Sequence, residues 1–127
     1  MLNNAIEVVT LFVDDIVATK AFYTKVFAPE VLFEDEASAV LQFSGVMINL
    51  LVASEGPTLV EPIAVAPAAA GTRMLLTIRV PDTNATCQAL AELGVPLLNG
   101  PQDRPWGRRT AAFADPSGHV WEVAQEL

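Results

Sequence analysis

The sequence is poor in the residues that carry most metal and redox chemistry. Among its 127 residues there is one cysteine, Cys87, and one histidine, His119. A single cysteine excludes a disulfide framework and any zinc or iron–sulfur site with several cysteine ligands. A single histidine likewise excludes a histidine-rich metal centre. We expect Cys87 to be a small buried residue rather than a nucleophile, because a lone thiol in a helix usually is.

Positive charge and long apolar runs are also scarce. Seven lysines and arginines stand against fifteen acidic residues, so the net charge is −8 and the pI is near 4.4. This balance argues against nucleic acid as a partner, which requires a basic surface. No segment approaches the ~18 apolar residues that span a bilayer, and the N-terminus lacks the features of a signal peptide. We therefore expect a cytoplasmic protein with no nucleic-acid or membrane partner.

Apolar sequence, by contrast, is abundant and follows a repeated order. Hydrophobic residues make up 52% of the chain, which excludes intrinsic disorder. An apolar, β-branched run over residues 6–13 leads to Asp15 and to helical spacing over 16–27, and residues 74–80 lead to Asp82 and a helix over 83–93. The residues that recur without a gap are Thr10, Val13, Asp15, Ala18 and Thr19, matched by Thr77, Val80, Asp82, Ala85 and Thr86.

Each half also has room for three strands after its helix. They are predicted near 30–35, 38–43 and 45–52 in the first half, and near 95–98, 108–114 and 118–124 in the second, with a loop over 99–107. The fold class is therefore α+β, with tandem β-α-β-β-β modules that form a curved mixed sheet with a concave cleft. We expect one domain over 1–127, with modules near 5–53 and 73–126 and an extended Pro- and Ala-rich linker near 54–72.

Three stretches of the chain carry a resemblance to a known family. They are Leu11-FVDDIVATKAFYTKVF, Thr77-IRVPDTNATCQALAELGV and Pro105-WGRRTAAFADPSGHVWEVAQ, and the last is the most specific. With them the sequence resembles the vicinal oxygen chelate superfamily, the group of glyoxalase I, bleomycin-resistance proteins and ring-cleaving dioxygenases. The resemblance implies the tandem β-α-β-β-β fold, a small-molecule ligand and a homodimer.

The resemblance also implies where a metal would be held in metal-dependent members. Its four ligand positions map onto Val8, Asn49, Leu75 and Glu122, and only Glu122 is a credible ligand for a divalent cation. We therefore predict no metal and no cofactor. His119 is expected to be a surface turn residue, because it lies three positions from Glu122 and should point to the opposite face of the strand.

Strand alternation predicts which side chains face the cleft. On the first strand Val9, Leu11 and Val13 should pack on the helix, and Trp121 should do so on the last strand. The opposite faces supply the predicted ligand-binding residues, which are Val8, Thr10, Phe12, Met47, Asn49, Leu51, Leu75, Thr77 and Glu122. Arg79, Val120 and Ala124 share those faces. An alternative for Val8, Leu51 and Leu75 is that they fill the core between sheets.

The loop around Trp106 supplies the last candidate. Trp106 could stack on a planar ligand, or it could plug the cleft or pack against another subunit. The neighbouring Arg104, Arg108 and Arg109 are expected to be solvated or paired with Asp103, with binding of an anionic group as the alternative.

Two functions fit these residues, and a third possibility requires no ligand in the cleft. The first is a metal-free binding protein of the bleomycin-resistance type, which sequesters a partly aromatic and possibly cationic compound paired with Glu122. The second is a glyoxalase-like lyase or isomerase, or a dioxygenase-type enzyme, with Glu122 as the catalytic base or as a metal ligand. The third is a dimeric domain whose cleft is filled by its own side chains.

Overall fold

The computed structural model describes residues 1–127, and these divide into two compact units, Met1–Ala70 and Gly71–Leu127. The first unit contains β1 (Val8–Val13), α1 (Ile16–Phe27), β2 (Glu30–Glu34), β3 (Ser38–Phe43), β4 (Val46–Val52) and the helical turn α2 (Pro57–Val60). The second contains β5 (Leu75–Arg79), α3 (Thr83–Glu92), β6 (Asn99–Arg104), β7 (Arg108–Ala114) and β8 (Val120–Glu126).

Each unit builds a four-stranded mixed sheet of its own. The strand orders are β1-β4-β3-β2 and β5-β8-β7-β6. In both sheets the first strand pairs in parallel with the last, and the other pairs are antiparallel. The predicted α+β class with tandem β-α-β-β-β modules is therefore confirmed, with the strands divided between two hydrogen-bonded sheets.

The two long helices begin at the aspartates that the repeat singled out. The Asp15 side chain accepts a hydrogen bond from the Ala18 backbone N–H at 3.0 Å, and Asp82 accepts one from Ala85 at 3.0 Å. Such a cap satisfies a backbone donor that the first turn leaves unpaired and contributes about 1 kcal/mol to helix stability. The same short-range chemistry thus starts the helix in each unit.

One face of each sheet packs against its helix, as alternation predicted. In the first unit Leu11 and Val13 of β1 are buried together with Tyr23 of α1. In the second, Trp121 is only 2% exposed and shares its face with the buried Val123. Burial of a residue the size of Trp121 stabilises the fold by about 2–3 kcal/mol or more. On the opposite faces, which we call the non-helix faces, Thr110, Ala112 and Ala124 of the second sheet are also buried, and the other side chains are half-buried or exposed.

The position of β6 corrects the sequence prediction. A strand was expected at 95–98 with a loop over 99–107, but the strand covers Asn99–Arg104 and only 105–107 form the turn. The apolar residues Leu97 and Leu98 misled the prediction, because β6 itself is polar and contains Pro101. Proline is tolerated there because β6 is an edge strand, where one backbone side needs no partner.

The linker also differs from the expected extended chain. Residues 53–55 form a 3-10 turn, Pro57–Val60 form α2, and residues 68–70 form a second 3-10 turn. Pro57 occupies the first position of α2, where proline is favoured because its missing N–H would have had no partner. The prolines therefore start and separate short helical turns rather than keeping the whole segment extended.

No helix of the structure has the length and apolar composition needed to cross a membrane.

Candidate functional site

The non-helix face of the first sheet carries one polar pair. Thr10 of β1 lies opposite Asn49 of β4 in the strand register, and the Asn49 side-chain amide donates a hydrogen bond to Thr10 Oγ1 at 3.3 Å. Val8 and Met47 form the neighbouring opposed pair on one side. The bond leaves the Asn49 amide oxygen and the Thr10 hydroxyl hydrogen for other partners, so this pair is a polar position between apolar side chains.

The second sheet carries the corresponding pair at the same place in its register. Thr77 of β5 lies opposite Glu122 of β8, and the Thr77 hydroxyl donates a hydrogen bond to Glu122 Oε1 at 3.0 Å. Glu122 is half-buried, and the ion pairs of this unit all use other carboxylates. The Glu122 carboxylate therefore retains acceptor capacity for a ligand or for water.

The other predicted positions differ in exposure. Met47, Asn49 and Leu51 are half-buried, whereas Val8 is 39% and Leu75 is 51% exposed. Val8 and Leu75 therefore do not fill a core within the residues described. They remain available as apolar surface beside the two polar pairs.

Phe12 has a neighbour that sequence reasoning missed. A Cβ built on Gly56 would lie 3.0 Å from Phe12 Cε1 and 2.6 Å from Val65 Cγ2, so the linker packs directly over the Phe12 ring. A glycine at the start of α2 permits this approach, because any side chain there would overlap the ring or Val65. The linker thus covers the Phe12 end of the first non-helix face.

Trp106 lies at the tip of the β6–β7 hairpin. It is 68% exposed in the turn formed by residues 105–107. The hairpin presents the indole to solvent, where its apolar body and N–H donor are both accessible.

His119 is not the surface residue that the sequence predicted. It is half-buried, and its Nδ1 lies 2.8 Å from Asp115 Oδ2. The other oxygen of Asp115 accepts hydrogen bonds from the backbone N–H groups of Ser117 at 2.9 Å and His119 at 3.0 Å. His119 therefore takes part in the hydrogen bonds of the β7–β8 turn. The strand that follows this turn, β8, carries Glu122.

Arg104, which the sequence predicted to be solvated or paired with Asp103, is instead bonded to two neutral side chains. Its Nε donates a hydrogen bond to Thr110 Oγ1 at 2.9 Å, and Nη2 donates one to Asn99 Oδ1 at 3.2 Å. Asn99 lies opposite Ala112, which in turn lies opposite Glu122, so all three share the non-helix face. Strict alternation from Asn99 would have put Arg104 on the opposite face, because the register of β6 shifts between Asn99 and Gln102.

Arg109 and Asp103 confirm the predicted pairing on the other side of the same hairpin. Arg109 Nε and Nη2 lie 2.7 Å and 3.3 Å from the two oxygens of Asp103. The hydrogen bond from Arg109 lowers the pKa of the Asp103 carboxyl below its usual 3.8 and raises the pKa of Arg109. Burial raises the pKa of the Cys87 thiol, as expected for an unreactive buried cysteine.

We expect the Asp103 pair to produce a small acid-dependent contribution to stability. A carboxyl with a lowered pKa stabilises the folded state above its ordinary pKa, and that contribution is lost as pH falls through the folded value. The effect is small because the pair is exposed. Asp103→Asn should therefore lower Tm near pH 7, and the difference from the parent should close as pH falls from about 5 towards about 2. Glu36→Gln is the matched control, and an equal, pH-independent change in both variants would contradict the prediction.

The residues at the family's metal positions do not fit a metal ion. Val8 and Leu75 have no donor atoms in their side chains, and Asn49 offers only a neutral amide oxygen, since its nitrogen is the atom bonded to Thr10. The Glu122 carboxylate and the Asn49 amide oxygen are therefore the only candidates, and a divalent cation requires several oxygen or nitrogen ligands. No group of three or more His, Cys, Asp or Glu side chains in the structure could hold a metal ion.

A cavity of about 570 Å³ lies elsewhere in the first unit. Its walls come from the end of β1 and from the linker, and they include Asp14, Pro57, Glu61, Pro62, Val65 and Pro67. None of the predicted ligand-binding residues lines this cavity. We place the candidate site on the non-helix faces instead, because hydrogen-bonded polar groups that could orient a ligand stand there among apolar side chains.

Comparison with known proteins agrees with this fold. An uncharacterised protein of Mycobacterium bovis is 28% identical over 122 residues, which cover 92% of this chain and 80% of that protein. A glyoxalase/bleomycin resistance protein/dioxygenase from Nocardioides has a similar structure, with a TM-score of 0.87 and 22% identity over 100% of this chain and 86% of that one. An antibiotic binding protein from a Streptomyces species superposes with a TM-score of 0.74 and 23% identity over 100% and 99% of the two chains.

The family assignment rests on nearly the whole sequence. The model of the Glyoxalase/Bleomycin resistance protein/Dioxygenase superfamily matches residues 5–123, which include both β-α-β-β-β modules. The chain therefore belongs to the Glyoxalase/Bleomycin resistance protein/Dioxygenase superfamily.

Proposed function

We propose that the protein is a metal-free binding protein that sequesters a small, partly aromatic compound carrying a basic group. The observation that carries the proposal is Glu122, a half-buried carboxylate oriented by the Thr77 hydroxyl and without a cationic partner in the protein. A ligand ammonium would supply that partner through a charge-assisted hydrogen bond. The exposed Leu75 side chain, one row from Glu122 on the same face, would add an apolar contact. Trp106, beyond the row of Arg104 and Arg108, would stack only on a ligand long enough to reach the hairpin tip.

Two further observations support binding rather than metal-assisted catalysis. The side chains at the family's metal positions supply one carboxylate and one neutral amide oxygen, which is fewer ligands than a divalent cation requires. The superfamily also includes proteins that bind antibiotics, and the Streptomyces structure is one of them. A homodimer and a cytoplasmic location, both expected from the sequence, stay predictions.

The test uses fluorescent probes that share one aromatic body. 9-(Aminomethyl)anthracene is the cationic probe and 9-anthracenemethanol is its neutral match, and fluorescence polarisation follows their binding. We expect the amine to bind more tightly than the alcohol. Glu122→Gln should weaken amine binding by about tenfold, which corresponds to about 1.4 kcal/mol, and should leave alcohol binding unchanged.

The controls separate this proposal from its alternatives. Glu92→Gln removes an exposed carboxylate at the end of α3 and should change neither affinity. Equal affinity for amine and alcohol, or an unchanged amine affinity in Glu122→Gln, would contradict the role given to Glu122. Stoichiometric nickel, zinc, iron or manganese in the purified protein would contradict the metal-free reading and favour the enzyme. If neither probe binds, the result would favour the alternative in which the protein's own side chains fill the site.

A further inference from the structure

The non-helix face of the second sheet holds more positive charge than its carboxylates neutralise. All five arginines of the chain lie after residue 72, and three of them, Arg79, Arg104 and Arg108, share this face. Glu126 is the carboxylate near them, and it lies 3.0 Å from Arg108 Nη2 and 3.6 Å from Arg79 Nη2. Arg104 is left without an acidic partner, although the protein as a whole is strongly acidic.

The register makes this excess charge unfavourable within the protein itself. Arg104 of β6 lies directly opposite Arg108 of β7, and like charges in that position destabilise a sheet. Glu126 lies opposite Arg108 on the other side, and its carboxylate neutralises the charge of Arg108 but not that of Arg104. A bound anion beside Arg104 would remove the remaining repulsion.

Hydrogen bonds hold the Arg104 guanidinium in one orientation. Its partner Thr110 is only 1% exposed, so the bond from Arg104 Nε to Thr110 Oγ1 lies inside the protein. The bond from Nη2 to Asn99 Oδ1 fixes the far end of the group. Both partners are neutral, and a guanidinium has five N–H donors, so the donors of Nη1 remain for a ligand.

Arg104 and Glu122 stand on either side of a small residue. Asn99, which holds the guanidinium, is two strands from Glu122 in the same row, and Ala112 lies between them. Strands are about 4.8 Å apart, so the two strand positions are separated by roughly 10 Å. The two charged groups do not form an ion pair with each other, and the residue between them is the small Ala112, which is 8% exposed.

We propose that Arg104 is the anion-binding residue of this face, so that the ligand is amphoteric, with an acidic group at Arg104 and a basic group at Glu122. The amphoteric class rests on the proposed function, whereas the anion site stands on Arg104 alone. A carboxylate, phosphonate or sulfonate on the ligand would each suit the planar guanidinium, which binds such oxyanions through two N–H donors.

The experiment adds an anionic member to the probe set. Anthracene-9-carboxylate tests the anion site alone, and 10-(aminomethyl)anthracene-9-carboxylate tests both ends together. Arg104→Gln should weaken binding of anthracene-9-carboxylate about tenfold and leave 9-(aminomethyl)anthracene unchanged. Arg73→Gln is the matched control, because it removes an exposed arginine of the same unit and should change anion affinity less than about twofold.

A second variant tests the proposal if Arg104→Gln does not fold. Glu126→Gln removes a negative charge in the same row as Arg104, which would repel a bound anion, so anthracene-9-carboxylate should bind about threefold more tightly. Unchanged anion affinity in Arg104→Gln, or in Glu126→Gln where the first variant is unfolded, overturns the proposal. If the anion depends on Arg104 but the amine does not depend on Glu122, the proposed function fails while the anion site stands. If amine binding depends on Glu122 but anion binding does not depend on Arg104, only the proposed anion site is overturned.

Discussion

Gly100→Ala is expected to lower the free energy of unfolding by about 2–5 kcal/mol, the largest effect of any substitution considered. Gly100 has φ of +87°, where a side chain costs about 1–2 kcal/mol. An added Cβ would also overlap the Thr110 carbonyl oxygen and lie 2.7 Å from Ala111 Cα. Both are backbone atoms of β7, so they cannot move aside as a flexible side chain would, and overpacking costs a further 1–3 kcal/mol or so.

Gly107→Ala is the control for this prediction. Gly107 lies on the same hairpin with φ of +84°, but an added Cβ would meet nothing within 4 Å. Its substitution should therefore cost only the backbone strain, about 1–2 kcal/mol. Urea denaturation of the two variants measures the difference. Equal losses of stability would mean that β6 can move away from β7 at Gly100 and that the close approach is not required.

The Gly100 prediction also bears on the proposed anion site. Asn99, which holds the Arg104 guanidinium, is the residue next to Gly100. A shift of β6 away from β7 would move both Asn99 and Arg104 relative to Glu122. Where Gly100→Ala remains folded, we therefore expect it to bind anthracene-9-carboxylate more weakly than the parent.

Asp115→Ala is expected to lower the free energy of unfolding by about 3 kcal/mol. The Asp115 carboxylate is buried and accepts bonds from two backbone N–H groups, those of Ser117 and His119, and lies within hydrogen-bond distance of the His119 ring. Hydrogen bonds to a charged group contribute about 1.5–3 kcal/mol each, and buried donors left without a partner add a penalty. The methyl group of alanine can replace none of these bonds.

Asp115→Asn separates the backbone bonds from the histidine contact. Its side-chain oxygen can still accept from Ser117 and His119, whereas the second oxygen, which faces His119 Nδ1 at 2.8 Å, becomes an amide nitrogen. The loss should be about 1–2 kcal/mol, smaller than for alanine. Chemical denaturation gives both values. A loss below about 0.5 kcal/mol for Asp115→Ala would show that the turn holds its shape without this carboxylate.

The Asp115 turn is also a positioning element for the candidate site. It joins β7 to β8, and Glu122 lies three residues after His119. Loosening the turn should therefore reduce amine binding through the position of Glu122 without touching the carboxylate itself. The Asp-Pro-Ser-Gly-His motif, which gave the most specific resemblance to the family, thus has a physical role in this chain that is separate from metal binding.

Local chemistry determined much of the fold from the sequence alone. Asp15 and Asp82 cap helices where the repeat placed them, because a cap depends on residues only three positions apart. Burial of Leu11, Val13 and Trp121 on the helix side followed from the two-residue period of a strand. The same period predicted that Thr10 lies on one face with Asn49, and Thr77 with Glu122.

Only the tertiary structure determined the position of elements whose partners are distant in the sequence or whose own residues are polar. The strand β6 exists because its backbone pairs with β7 on either side of a register shift at Gly100, and neither apolar residues nor periodicity mark it in the sequence. The contact of Phe12 with the linker and the bonds of Arg104 to Thr110 and Asn99 follow from that kind of pairing. The scarcity of histidine and cysteine had already excluded most metal sites. The sequence did not show which charged side chains lack a partner, because that depends on distances between strands.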